Sequence, residues 1–188
     1  MPPPDAGTGF VLLAAGRSAR FDGNKLEADF CGRPLWEWSV LAAEAAGFAH
    51  RFVVNAPDRP LGPRRGWTFV ENMRAEAGLG SSIAAGVAAA GMCSRIVFAL
   101  ADMPLVTAHH LSRLADARGV VFTRYPDGAH GIPAAFPGSA YARLAELGGD
   151  RGAGALDFAG ATTFDPFDPG MLADVDTPAD LEELAGKV

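Results

Sequence analysis

Lysine is nearly missing from this 188-residue chain: it occurs only as Lys25 and as Lys187, the latter beside the C-terminus. A sequence so sparing with lysine does not use it as a general solubilising surface, so Lys25 calls for a specific role. Cysteine is equally scarce. Cys31 and Cys93 lie far apart, with neither zinc-ligand spacing nor a disulfide framework, and read as reduced thiols of a cytoplasmic protein. Long apolar runs are missing too. The segment from Met1 to Gly9 has no basic region and leads into an apolar run of only about seven residues, too short to span a bilayer and misplaced for a signal peptide. No membrane partner is therefore expected. Basic charge is not in excess, with 16 Lys and Arg against 22 Asp and Glu, which argues against a nucleic-acid partner and leaves room for a small anion in a local basic pocket. Neither a serine in a nucleophile elbow nor a cysteine in a catalytic setting is present, so covalent catalysis is not indicated.

What is present is a folded chain, 49% hydrophobic and 20% charged, with no repeat or linker and a length that suits one domain over 1–188. Residues 1–8 read as a flexible N-terminal tail. Short β-branched or aromatic runs alternate with Ala/Leu-rich stretches, the pattern of a βαβ protein with helices on both faces of a mostly parallel sheet. Strands are expected at 9–15, 51–55, 67–70, 95–101, 119–123 and 132–136, with short ones at 162–165 and 172–175. Helices are expected at 34–47, 80–91, 107–117, 138–147, 152–159 and 178–186. Pro34 and Thr107 suit helix starts, and Gly47, Gly91 and Gly119 suit helix ends. Pro126, Gly128, Gly131 and Pro133 break the pattern into a loop and a hairpin-like insertion.

Four segments carry chemistry. Residues 13–25 leave an apolar strand and become a glycine-punctuated loop with Arg17, Arg20 and Lys25, placed at the carboxyl end of a strand, where open α/β sheets bind ligands. The spacing fails both the Walker A and the dinucleotide fingerprints, because Asn24 intervenes before Lys25 and Ser18 replaces the second glycine. Asp102, in Leu100-Ala101-Asp102-Met103-Pro104, ends the most apolar strand on the same rim; it suits a Mg2+ ligand or a turn former. Thr177, Pro178 and Asp180 are explained as helix initiation, which leaves Asp174 and Asp176 on one side of an extended segment, where either could complete a two-carboxylate site. Gly78 to Ser82 opens a helix whose serines either cap it or meet a phosphate or base edge. Among the histidines, His130 alone sits in a candidate ligand loop.

Taken in order, Leu-Ala-Ala-Gly-x-Ser-x-Arg with its lysine at 13–25, Gly-Leu-Gly-Ser-Ser at 78–82, Leu-Ala-Asp-Met-Pro at 100–104, Pro-Ala-Ala-Phe-Pro at 133–137, Gly-Asp-Arg-Gly-Ala at 149–153 and Asp-Val-Asp-Thr-Pro at 174–178 resemble one family. It is the nucleotidyltransferase family containing the molybdenum cofactor cytidylyl- and guanylyltransferases. The resemblance implies a three-layer α/β/α, Rossmann-like (GT-A-like) sandwich and Mg2+-dependent transfer of a nucleoside monophosphate to a phosphorylated acceptor. It implies catalytic roles for Arg20, Lys25 and Asp102, and nucleotide binding by Leu13, Ala14, Ala15, Gly16, Arg17, Ser18, Arg20, Lys25, Gly80, Ser81 and Ser82. Acceptor binding falls to His130, Pro133, Asp150 and Arg151, and the metal to Asp102 and Asp176. Ala15 in place of a second glycine, and Asp176 before Thr-Pro, look like the cytidylyl branch: CTP as donor, a phosphorylated pterin as acceptor, and transient contact with a molybdoenzyme or its chaperone. The chain departs from the family pattern at Arg20-Phe21-Asp22, where Arg-Met-Gly is usual, and at Ile132. A transferase using GTP, one with a sugar-phosphate or phospholactate acceptor, and a noncatalytic cofactor-handover module all remain open; an NAD-linked oxidoreductase lacks its fingerprint.

Overall fold

The computed structural model describes residues 2–16, 21 and 23–187. Its frame is a seven-stranded sheet. In chain order the strands are β1 (Thr8–Ala14), β4 (His50–Asn55), β5 (Thr68–Glu71), β6 (Arg95–Leu100), β7 (Val121–Arg124), β8 (His130–Pro137) and β9 (Thr162–Phe164); a separate two-stranded hairpin pairs β2 (Asp29–Phe30) with β3 (Arg33–Pro34). The spatial order is β5-β4-β1-β6-β8-β7-β9, and β8 alone runs against its neighbours. The helices are α1 (Leu35–Ala46), α2 (Leu79–Ala90), α3 (Ala108–Asp116), α4 (Tyr141–Ala145) and α5 (Pro178–Ala185).

Strand alternation sorts the core into two halves. Along β1, Phe10, Leu12 and Ala14 face one layer with Trp36 and Val40 of α1, Leu111 and Leu114 of α3 and Leu184 of α5. Val11 and Leu13 face the other, with Ile83 and Val87 of α2 and Leu144 of α4. The result is the expected α/β/α sandwich. The chain runs outward from β1 to β4 and β5, then returns to place β6 on the other side of β1. That reversal opens a crevice beyond the carboxyl ends of β1 and β6, the position where such sheets bind ligands.

Helix ends follow the local chemistry. Gly47 closes α1 in the left-handed region at φ 85°, Thr107 accepts the His110 N–H to start α3, and Thr177 with Asp180 forms a reciprocal cap on α5. Arg95, buried at the start of β6, donates to the carbonyls of Leu114 and Gly119 and so satisfies the end of α3.

Several expectations change. The helix expected over 138–147 is a 3-10 turn at Gly138–Ala140 followed by the short α4. That over 152–159 shrinks to a 3-10 turn at Ala153–Ala155, because two glycines weaken it and Phe158 packs on Phe122 and Phe136. The strand expected at 172–175 is replaced by a 3-10 turn at Pro169–Leu172, started by the Asp168 side chain accepting from Gly170, and then an extended link. The small β2–β3 hairpin had no signal beyond Cys31-Gly32, both at positive φ. Residues read as a tail are tied in: Gly7 accepts from the Ser94 N–H, Pro3 packs near Gly47, and Thr8 already belongs to β1.

One polar chain crosses the core. The Thr123 hydroxyl donates to the Pro133 carbonyl and accepts from His110 Nε2 at 2.7 Å, joining α3 to β7 and β8. Burial, with help from the positive charges of Arg113 and His109, pushes the His110 pKa down from 6.5 to about 4. The unfolded chain therefore takes up this proton first, so the stabilisation is whole above pH 6.5 and is lost as the pH falls toward 4. Urea unfolding from pH 7 to pH 4 should show a loss on the order of 3 kcal/mol from this group, missing from the profile of a His110→Gln variant.

Candidate active site

At the end of β1 the chain turns through the buried Ala15 and the exposed Gly16, where an added Cβ would come within 4 Å of no other described residue. The crevice here is a cavity of about 490 Å³. Leu13 to Gly16 form one wall, Glu76, Gly78, Leu79 and Ser82 another, and Lys25, Glu76, Asp102 and Asp150 supply charge.

Lys25 is the organising side chain. Asn24 caps the 3-10 turn Lys25–Glu27 that carries it, and the residue is only 5% exposed. Its Nζ donates to Asp102 Oδ2 at 2.8 Å, to the Val175 carbonyl at 2.8 Å and to Asp176 Oδ1 at 3.2 Å. All three ammonium protons are thus committed. Burial alone would lower the Lys25 pKa, but the charge and hydrogen bonds of Asp102 and Asp176 outweigh it and leave the pKa above its ordinary value. The group stays charged throughout the neutral range.

The carboxylates arrive from distant elements. Asp102 sits in the turn just after β6, where the Ala101 N–H continues the ladder to Leu13 and the Asp102 carbonyl accepts from Val175. Its Oδ2 is taken by Lys25, whereas Oδ1 is buried and has no hydrogen-bond partner among the described residues. Asp176 is set by α5, since its N–H and that of Thr177 both donate to Asp180 Oδ2. Asp174 is more exposed, yet desolvation and the like charges of Asp176 and Asp102 still raise its pKa. Among the described residues no cluster of three or more Asp, Glu, His or Cys is arranged to hold a metal ion by itself. A hard cation here would take two carboxylates and complete its shell with phosphate oxygens and water.

The segment 78–82 divides its work. Ser82 lines the cavity. Gly80 and Ser81 build the wall without lining it: the Gly80 N–H donates to Gly149, and a Cβ on Gly80 would come within 2.8 Å of Gly148 N. Ser81 shares its proton between the carbonyls of Arg74 and Gly78 and accepts from Asn72, whose amide also reaches Ser82. Asn72, buried behind the loop, was missed in the sequence; an asparagine just beyond a strand is the only signal it offered.

A second cavity of about 350 Å³ adjoins the first through Leu79 and Leu100. Tyr125, Asp127 and His130 to Ile132 form one side, and Gly152 to Ala155 the other. The Tyr125 hydroxyl donates to the Ile132 carbonyl, and burial first, then nearby Asp174 and Asp102, push its pKa up to about 12. His130 lines this cavity and packs on Phe122 at 4.8 Å. Pro133 is buried with its carbonyl bound by Thr123, and Arg151 is exposed; neither lines the two cavities. Asp150 lines the first cavity. Arg17, Ser18 and Arg20 lie outside the described residues, as does Asp22, while Phe21 packs against the core at half exposure.

Residues 10–162 match the family model of the MobA-like NTP transferase domain. The purine catabolism protein PucB of Bacillus subtilis (strain 168) is 29% identical over 190 residues, spanning 92% of this chain and 93% of that protein. The structure of Rv0371c from Mycobacterium tuberculosis H37Rv superposes with a TM-score of 0.75 at 27% identity, covering 96% of this chain and 98% of that one. Its complex with manganese gives 0.73 at 26% identity, covering 96% and 98%. A nucleotidyl transferase from Methanothermobacter, at 22% identity, TM-score 0.78 and 96% coverage of both chains, shares the fold. A family model spanning most of the chain and a charged crevice at the β1/β6 edge lead to one conclusion: this protein belongs to the MobA-like NTP transferase family and is a nucleotidyltransferase.

Proposed function

We propose that this chain transfers CMP from CTP to a phosphorylated pterin of the molybdopterin type, releasing pyrophosphate. The observation that carries this reading is the Lys25, Asp102 and Asp176 cluster, whose Lys25 and Asp102 line one cavity that adjoins a second. Two anionic substrates can meet there. The triphosphate would lie along Ala14 to Gly16 and Ser82, with Arg17, Ser18 and Arg20 completing the loop, and the acceptor would enter beside His130 and the 152–155 turn. Of the other residues expected at the acceptor, Asp150 would face it from the first cavity, while Pro133 and Arg151, which line neither cavity, would act only from behind and from the surface. The Leu13-Ala14-Ala15-Gly16 sequence, with its buried Ala15, supports CTP as donor.

The chemistry needs alignment and charge compensation instead of a protein nucleophile. An acceptor phosphate oxygen attacks the α-phosphorus, a new P–O bond forms, and the P–O bond to pyrophosphate breaks with its electrons. Arg20 and Lys25 would stabilise the departing pyrophosphate, and backbone N–H groups at Ala15 and Gly16 would assist. A divalent ion fits the donor set, because the buried and unpartnered Oδ1 of Asp102 is the kind of hard oxygen that Mg2+ takes, and Asp176 is beside it. When bound by Asp102 and Asp176, Mg2+ would offset triphosphate charge; that Rv0371c was solved in complex with manganese supports a divalent ion for this chain as well. No described helix is long and apolar enough to cross a membrane. The proposed enzyme would work in the cytoplasm and pass its product to a molybdoenzyme or its chaperone.

Two results are expected. Asp102→Ala should lower turnover on the order of 10²–10³-fold, and should also lower the urea midpoint because the buried Lys25 ammonium loses a carboxylate; near-normal turnover, measured where the variant is folded, would remove Asp102 from the site. In a pyrophosphate-release screen of CTP, GTP, ATP and UTP against molybdopterin, CTP should give the fastest release. Preference for GTP, turnover only with a sugar-phosphate acceptor, or nucleotide binding without release would each replace the proposal.

A further inference from the structure

We infer that Lys25 and the divalent ion are mutually exclusive occupants of the Asp102 and Asp176 pair, so that ion and nucleotide load together and the displaced ammonium turns to the phosphates. This rests on the reading of those two carboxylates as ion ligands. The ammonium bridges Asp102 Oδ2 at 2.8 Å and Asp176 Oδ1 at 3.2 Å, so the two carboxylates already converge on one cation. A coordinated cation sits nearer still, at roughly 2.0–2.6 Å from its oxygens, and whether it takes the oxygens that Lys25 holds or the unpartnered Asp102 Oδ1, two cations on one carboxylate pair repel strongly in a partly buried setting. One of them must leave.

Neither ligand displaces Lys25 cheaply by itself. An ion entering alone takes two of the three acceptors from an amine that is 5% exposed, leaving a poorly paired ammonium in the cavity wall. A triphosphate entering alone draws Lys25 away and sets its own charge beside Asp102, Asp174 and Asp176. Together they satisfy the charged groups: the ion replaces the ammonium on the carboxylates, and Lys25, which already lines the 490 Å³ cavity, meets phosphate oxygens on a flexible four-carbon stem. Coupling of this kind is reciprocal, with each ligand tightening the other by the same factor.

The test is Mn2+ binding to the full chain, followed by the electron paramagnetic signal of free Mn2+, with and without CTP and corrected for Mn–CTP formation in solution. The wild type should bind Mn2+ weakly alone and about tenfold or more tightly with CTP. Lys25→Met should bind Mn2+ alone about tenfold or more tightly than the wild type and lose most of the coupling, whereas Lys25→Arg should keep the weak wild-type binding. Lys25→Met binding Mn2+ no better than the wild type would overturn the exchange, leaving Lys25 as a fixed brace for Asp102. A wild type that binds no Mn2+ even with CTP would overturn the ion-ligand reading beneath it. Because the chain has only two lysines, side-chain 15N spectra of the wild type give a check that needs no variant. The Lys25 ammonium signal should shift far more with Mg2+ and CTP together than with Mg2+ alone, and an unmoved signal under both conditions would end the proposal.

Discussion

The structure turns on a buried ammonium. Placing Lys25 at 5% exposure is tolerable only because three acceptors converge on it, one carboxylate from the end of β6, one from the cap of α5 and a carbonyl between them. Those partners lie 77 and about 150 residues away in sequence, so a single side chain fixes three separate segments on one sheet edge. Removing a partner would leave charge stranded, which makes the cluster both a structural clasp and a polarised centre.

Sheet topology decides where that centre opens. The reversal of chain order at β1 and β6 leaves their carboxyl ends uncovered, with α1 and α2 on opposite faces. The antiparallel β7–β8 pair then brings Tyr125 and His130 to the same rim, and the close approach of Gly80 to Gly148 holds the 148–155 segment over it. Two adjoining cavities on one edge suit the proposed reaction between two phosphorylated substrates. The arrangement relies on fixed dipoles and charges aligned in advance, in keeping with chemistry that needs no covalent enzyme intermediate.

Much of this was legible in the sequence where local chemistry and tertiary role agree. The apolar run before Gly16, Asp102 at a strand end and the Thr177-Pro178 cap each carry a local signal that tertiary packing preserves. Other features were hidden for physical reasons. The 152–159 segment has helix-forming alanines, yet Phe158 is worth more against Phe122 and Phe136 than in a glycine-interrupted helix. The 172–175 segment is extended, but its Val175 N–H pairs with the single carbonyl of Asp102 and not with a strand. Lys25 itself was visible as an isolated cation suited to a phosphate; only the fold reveals that its protons are engaged by carboxylates and by a backbone carbonyl that no motif encodes. Gly80 and Ser81 likewise shape the wall from behind, a division of labour that Gly-Leu-Gly-Ser-Ser does not disclose.

The central claim is that Asp102 and Asp176 together form the ion-binding heart of the nucleotide site. Anomalous diffraction at the manganese edge, from crystals of the full chain grown with Mn2+ and a nonhydrolysable CTP analogue, addresses it directly. The account requires an anomalous peak bridging oxygens of Asp102, Asp176 and the triphosphate, with the nucleotide along Ala14 to Gly16. A peak away from both carboxylates, or nucleotide bound elsewhere than the β1/β6 edge, would contradict it.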